Sequence, residues 1–137
     1  MNIGLFDRRR TVLLIDSDPQ ARATLRIALE AADFSVGEAA NDREGERTAL
    51  RIKPDAVIAE LNLEAGEAGI TIAERLHASD SRIPCYILSS AADALMGSVG
   101  LHEMGIEGVF LKPVDPAIVV LTLKTRIGAA GEDARHA

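Results

Sequence analysis

The chain has 137 residues, 47% of them hydrophobic and 26% charged, and a formal net charge of -6. That length suits one domain with a proper core, and the balance is that of a globular rather than a disordered protein. The negative charge argues against nucleic acid or an anionic membrane as partner. Four aromatic residues, Phe6, Phe34, Tyr86 and Phe110, give no basis for stacking bases or flat cofactors.

Residues 1–10 read as an N-terminal arm, with Arg8-Arg9-Arg10 beside Asp7 as a solvated flank. Met1 to Phe6 lacks a signal-peptide pattern and no long apolar span follows, so the expectation is a cytoplasmic protein with no membrane contact. The lone Cys85 lies in an apolar run and reads as a buried, inert thiol.

Five short runs read as strands: Val12 to Ile15, Ser35 to Glu38, Ala56 to Ala59, Cys85 to Leu88 and Val109 to Leu111. All but the second lack polar alternation, as strands buried on both faces of a parallel sheet do. The second is polar and suits an edge.

Between the strands the apolar period is helical. Asp18 caps a first helix with Pro19 at its first position and a stripe of Ala21, Leu25, Ala28, Leu29 and Ala32. Asn41 and Glu44 have capping-box spacing for a second helix that Pro54 stops. Ile72, Ala73 and Leu76 mark a third, and Leu95, Val99 and His102 a fourth, with His102 as an exposed residue rather than a ligand. Asp115-Pro116 opens the last, which carries Val120, Leu123 and Ile127 and ends at Gly128. Residues 11–128 therefore form a single α/β domain of (βα)5 type, and 129–137 a flexible tail.

In an open α/β sheet the site forms beyond the carboxyl ends of the strands. Those positions hold Asp16-Ser17-Asp18, Glu60, Ser89-Ser90 and Lys112-Pro113. Two acids, a hydroxyl and a lysine would then meet on one edge.

From about Thr11 to Ile127 the chain resembles receiver domains of two-component response regulators. The resemblance is carried by Val12-Leu13-Leu14-Ile15-Asp16-Ser17-Asp18-Pro19, by Pro54 to Leu63, by Ile83 to Ser90 and by Gly108-Val109-Phe110-Leu111-Lys112-Pro113. It implies a flavodoxin-like fold with a parallel five-stranded sheet of order 2-1-3-4-5, and a cis bond before Pro113. It also implies phosphorelay signal transduction, in which an aspartate takes a phosphoryl group with the help of magnesium. Asp16 then holds the first position of the acid pair, Ser89 that of the switch hydroxyl and Lys112 that of the lysine.

Three positions depart from that pattern. Glu60 stands at the phosphoacceptor position, its carboxylate carried roughly 1.5 Å further by the extra methylene. Ser17 replaces the second acid, which leaves magnesium weakly held or not at all by Asp16, Glu60 and the backbone of Asn62. Val109 stands where a switching aromatic is usual. The loop from Glu64 to Gly69 lacks the customary proline. The chain is thus expected to be a stand-alone pseudo-receiver, acting by protein–protein contact without aspartyl phosphorylation and without a bound cofactor. The resemblance implies a histidine kinase or a separate output protein as partner. It also offers a homodimer face, built from the fourth helix, fifth strand and fifth helix.

A second reading belongs to another class. Haloacid-dehalogenase-type phosphatases place an Asp-x-Asp pair after their first strand, and Asp16 and Asp18 have that spacing. They need a further acid pair for magnesium, and Asp115, just past Lys112, reads as a helix cap instead. A flavin reading fits the fold, but the first turn offers acids where phosphate needs hydroxyls and amides.

Overall fold

The computed structural model describes residues 9–61, 69–90 and 105–128. The expectations for residues 1–8, for Asn62 and the 64–68 loop, for the fourth predicted helix (Leu95, Val99, His102) and for the tail lie outside the described residues.

Five strands, β1 (Thr11–Ile15), β2 (Ser35–Ala39), β3 (Ala56–Glu60), β4 (Cys85–Ser89) and β5 (Ile106–Leu111), form one sheet in the order 2-1-3-4-5. Every pairing is parallel. The described helices are α1 (Pro19–Ala31), α2 (Asp42–Ile52), α3 (Gly69–Ser79) and α4 (Pro116–Ile127). The last is the one opened by Asp115-Pro116.

Strand alternation assigns each helix to a face. Leu13, Ile15, Val57, Ala59, Cys85 and Ile87 pack against Ala49 of α2 and Ile72, Ala73 and Leu76 of α3. Their neighbours Val12, Leu14, Ala56, Ile58, Tyr86 and Leu88 pack against Leu25 and Leu29 of α1 and Val119 and Leu123 of α4. On that second face the rings of Tyr86 and Phe110 stack with centroids 5.2 Å apart. The β2 strand has β1 alone beside it and is half-buried until Ala39, which accounts for its polar sequence. Burial, reinforced by the charge of Glu107, pushes the Cys85 thiol up to about 12, so it stays protonated at neutral pH.

The caps follow the sequence. Asp18 accepts from Gln20 N, Asn41 from Glu44 N and Asp115 from Ala117 N, each closing an N-terminus that lacks intrahelical partners. The turn into β5 needs glycine: Gly105 has φ 84°, and a Cβ there would lie 2.3 Å from Cγ of His77. Gly105→Ala should therefore cost about 2 kcal/mol, from a strained φ and from overpacking together. Urea denaturation reads this directly, and an unchanged midpoint would mean that the turn relaxes freely.

Candidate functional site: a carboxylate pair closed by a lysine

Asp16 follows β1, Glu60 is the last residue of β3, and Lys112 follows β5. Because Ile15 pairs with Ala59, the two acids emerge side by side. Lys112 starts two strands from Glu60 and three from Asp16, and its long side chain reaches past the end of β4 to both. Its Nζ lies 2.7 Å from Oε1 of Glu60 and 3.5 Å from Oδ2 of Asp16. The Lys112–Pro113 peptide bond is cis, as the resemblance implied.

Both oxygens of Glu60 are engaged. Oε1 accepts from Lys112, and Oε2 accepts from the Ser17 hydroxyl at 3.3 Å. Asp16 is 2% exposed. Its Oδ1 accepts from Asp18 N at 2.9 Å, while among the described residues its buried Oδ2 has no hydrogen-bond partner and only the ammonium of Lys112 as counter-charge.

Burial sets the electrostatics of the pair. It pushes the Asp16 carboxyl above the ordinary aspartate value, and the neighbouring Glu60 adds to this, outweighing the Asp18 amide and Lys112. Glu60 is also desolvated, but the hydrogen bond from Lys112, the adjoining Asp16 carboxyl and the lysine's charge carry it below the ordinary value. For Lys112 burial favours the neutral form, yet the bond to Glu60 and the charges of both acids raise it. Glu60 and Lys112 form the ionised couple, and Asp16 is the acid on which negative charge is disfavoured.

Ser89 ends β4 fully buried, but its hydroxyl donates to the Ser90 carbonyl at 2.9 Å and to no member of the trio. The chain binds Lys112 to Ser89 through the backbone instead, Lys112 N donating to Ser89 O at 2.7 Å. Val109 pairs with Ile87 and packs, half-buried, on the face of α2 and α3. Sequence reasoning placed Ser17 in the pocket without its bond to Glu60, and missed Arg22 altogether. The Ser17 hydroxyl grips Glu60, and Arg22 ties α1 to the site by donating to the Asp16 carbonyl while pairing with Glu38 at 3.1 Å. Neither role has a sequence signature, since each depends on a rotamer across an element boundary. Beside the trio a cavity of about 440 Å³ opens between α1 and the end of β5, bounded by Leu25, Leu88 and Val114 as well as the charged groups.

Among the described residues, no group of three or more His, Cys, Asp and Glu side chains is arranged to hold a metal ion. No helix among them is long and apolar enough to cross a membrane. The carboxylate of Asp18 caps α1, its Oδ1 accepting from Gln20 N at 2.9 Å, the role its position in the sequence gives it.

Comparison with known proteins agrees with this architecture. The response regulator receiver domain family matches residues 12–124. The transcriptional regulatory protein PrrA of Mycobacterium tuberculosis is 28% identical over 134 residues, 98% of this chain and 56% of that protein. The DNA-binding response regulator MtrA of Mycolicibacterium smegmatis is 28% identical over 119 residues, 87% of this chain and 51% of that one. The chain thus spans about half the length of these curated relatives. Among solved structures, a response regulator receiver domain protein from Clostridium thermocellum superposes with a TM-score of 0.79 at 20% identity, over 86% of this chain and 94% of that one. A putative response regulator from Chloroflexus aurantiacus gives 0.76 at 25% identity, over 85% and 96%. The phosphatase reading finds no support in these matches. With its 2-1-3-4-5 sheet and its acids and lysine gathered at one edge, the chain belongs to the response regulator receiver domain family of two-component signalling.

Proposed function

We propose that this receiver signals through protein contact without aspartyl phosphorylation, its phosphorylation pocket being closed from within by Glu60 and Lys112. The observation that carries the reading is the 2.7 Å ion pair between them, with Ser17 on the other carboxylate oxygen. Glu60 occupies the acceptor position with a longer arm, and that arm already holds the lysine that would otherwise hold phosphoryl oxygens. The closed pair is a permanent, weak imitation of an occupied pocket.

The residues present fit magnesium poorly. The ion demands near-ideal octahedral geometry and one or two free carboxylates. Here Ser17 supplies no charge, Glu60 is engaged on both oxygens, and an ammonium stands between the acids. Magnesium titrated to millimolar levels should leave the amide NMR signals around Asp16, Glu60 and Lys112 in place. Saturable shifts at those residues below millimolar magnesium would overturn the reading. The direct test is phosphotransfer: with acetyl phosphate and magnesium, mass spectrometry should find no phosphoryl group on the wild-type chain.

The partner is a protein, a histidine kinase or an output protein, and the surface that offers itself includes β5 and α4. Leu111, Ile118 and Leu121 stand 50%, 52% and 63% exposed there, which suits a docking or self-pairing face.

A further inference from the structure

We propose that α2 is a docking ridge for an acidic amphipathic segment of a partner protein. The inference does not rest on the state of the pocket. All four exposed residues of α2 are Arg43, Arg47, Leu50 and Arg51. At 100° per residue they fall within an arc of roughly 100°, one continuous stripe. Among the described residues none of the three arginines has an ion pair or side-chain hydrogen bond, whereas the acids of the helix are placed elsewhere: Asp42 and Glu44 in the first turn, and Glu46 against Arg75 of α3. Exposed Lys53, just past the helix, extends the positive charge. Leu50 is 75% exposed at one edge of this stripe, the most exposed large apolar side chain among the described residues.

A basic ridge on a chain of net charge -6 is a local inversion of sign. Its complement is a surface with carboxylates one helical turn apart around an apolar residue that covers Leu50. A polyanion fits less well: the whole chain repels it, and the described aromatic residues Phe34, Tyr86 and Phe110 are buried, leaving nothing to stack on bases. An anionic bilayer fits less well too, because the apolar side of α2, with Thr48 and Ala49, is already buried in the domain.

The probe is a synthetic alanine-based helical peptide with one central leucine and glutamates a turn away on either side. Added to the full chain at low salt, it should move amide signals of α2 saturably and leave those at Asp16 and Glu60 unmoved. Arg47→Glu should weaken binding about tenfold and Leu50→Ala about threefold, since one reverses a charge contact and the other removes an apolar anchor. Both variants should keep the wild-type melting temperature, because both side chains are exposed. The proposal is overturned if the peptide moves nothing, or if a glutamine-for-glutamate peptide binds equally well. Tighter binding to duplex DNA or to phosphatidylglycerol vesicles would overturn it, as would self-association of the free chain that Arg47→Glu abolishes.

Discussion

Acetyl phosphate with magnesium should leave the wild-type chain bare, and should label the Ser17→Asp/Glu60→Asp double variant with one phosphoryl group. In that transfer a carboxylate oxygen at position 60 attacks phosphorus and acetate leaves. Placement and metal-assisted neutralisation of charge supply the rate. The wild-type glutamate overshoots by roughly 1.5 Å, a misplacement that can cost about a hundredfold. Glu60→Asp alone shortens the arm and frees Lys112, but leaves the metal one carboxylate short, so labelling should be faint. Ser17→Asp alone adds a third carboxylate beside a misplaced nucleophile and should give none. Gains that appear only together mark groups acting as one unit. Equal labelling of wild type and double variant would make Glu60 or another residue a working acceptor. A bare double variant would mean that the pocket has diverged at more positions than these two.

The same physics decides how much could be read from the sequence. The β1, β3 and β4 strands were legible because burial on both faces makes each one an unbroken apolar run. The start of β5 was not: Ile106-Glu107-Gly108 breaks the run, since Glu107 faces solvent with Arg126 and Gly108 lies over the Tyr86 ring. In α4 the sequence stripe of Val120, Leu123 and Ile127 was shifted. Val119 and Leu123 are the fully buried pair, while Val120 and Ile127 pack at the margin. A helix beginning Pro-Ala-Ile-Val-Val-Leu is apolar on every side, so periodicity cannot single out its inner face. Asp16, Glu60 and Lys112 were legible because strand ends in a parallel sheet converge by topology alone. The direction of a hydroxyl is not set that way. Ser17 turns to Glu60, and Ser89 turns to its neighbour's carbonyl.

Lys112→Met should destabilise the domain by about 2 kcal/mol at neutral pH, a value between the cost of breaking a buried pair and that of an exposed one. Methionine keeps the packing of the stem, so the loss reads charge rather than volume. The pH dependence has a definite sign. In the wild type Glu60 is depressed, so its contribution is present above its ordinary value of 4.5 and is lost as pH falls through the folded value. Lys112 is raised, so its contribution is present below 10.5 and is lost as pH climbs through its own folded value. Asp16 is raised and works in reverse: its contribution is present below 3.8 and is lost as pH rises through the folded value. Without the ammonium both carboxylates lose their counter-charge, and both folded values move up. The deficit of Lys112→Met should therefore be full at pH 7 and shrink as pH falls toward the carboxylate range, where protonation removes the stranded charge. Glu60→Gln in the Lys112→Met background should recover part of the neutral-pH loss, because the ionised partner is then gone as well. Urea denaturation of the wild type, Lys112→Met, Glu60→Gln and the double variant at neutral and acidic pH measures this cycle. A deficit that is the same at both pH values, or no recovery in the double variant, would show that Lys112 acts through packing and that the ion pair with Glu60 does not close the pocket.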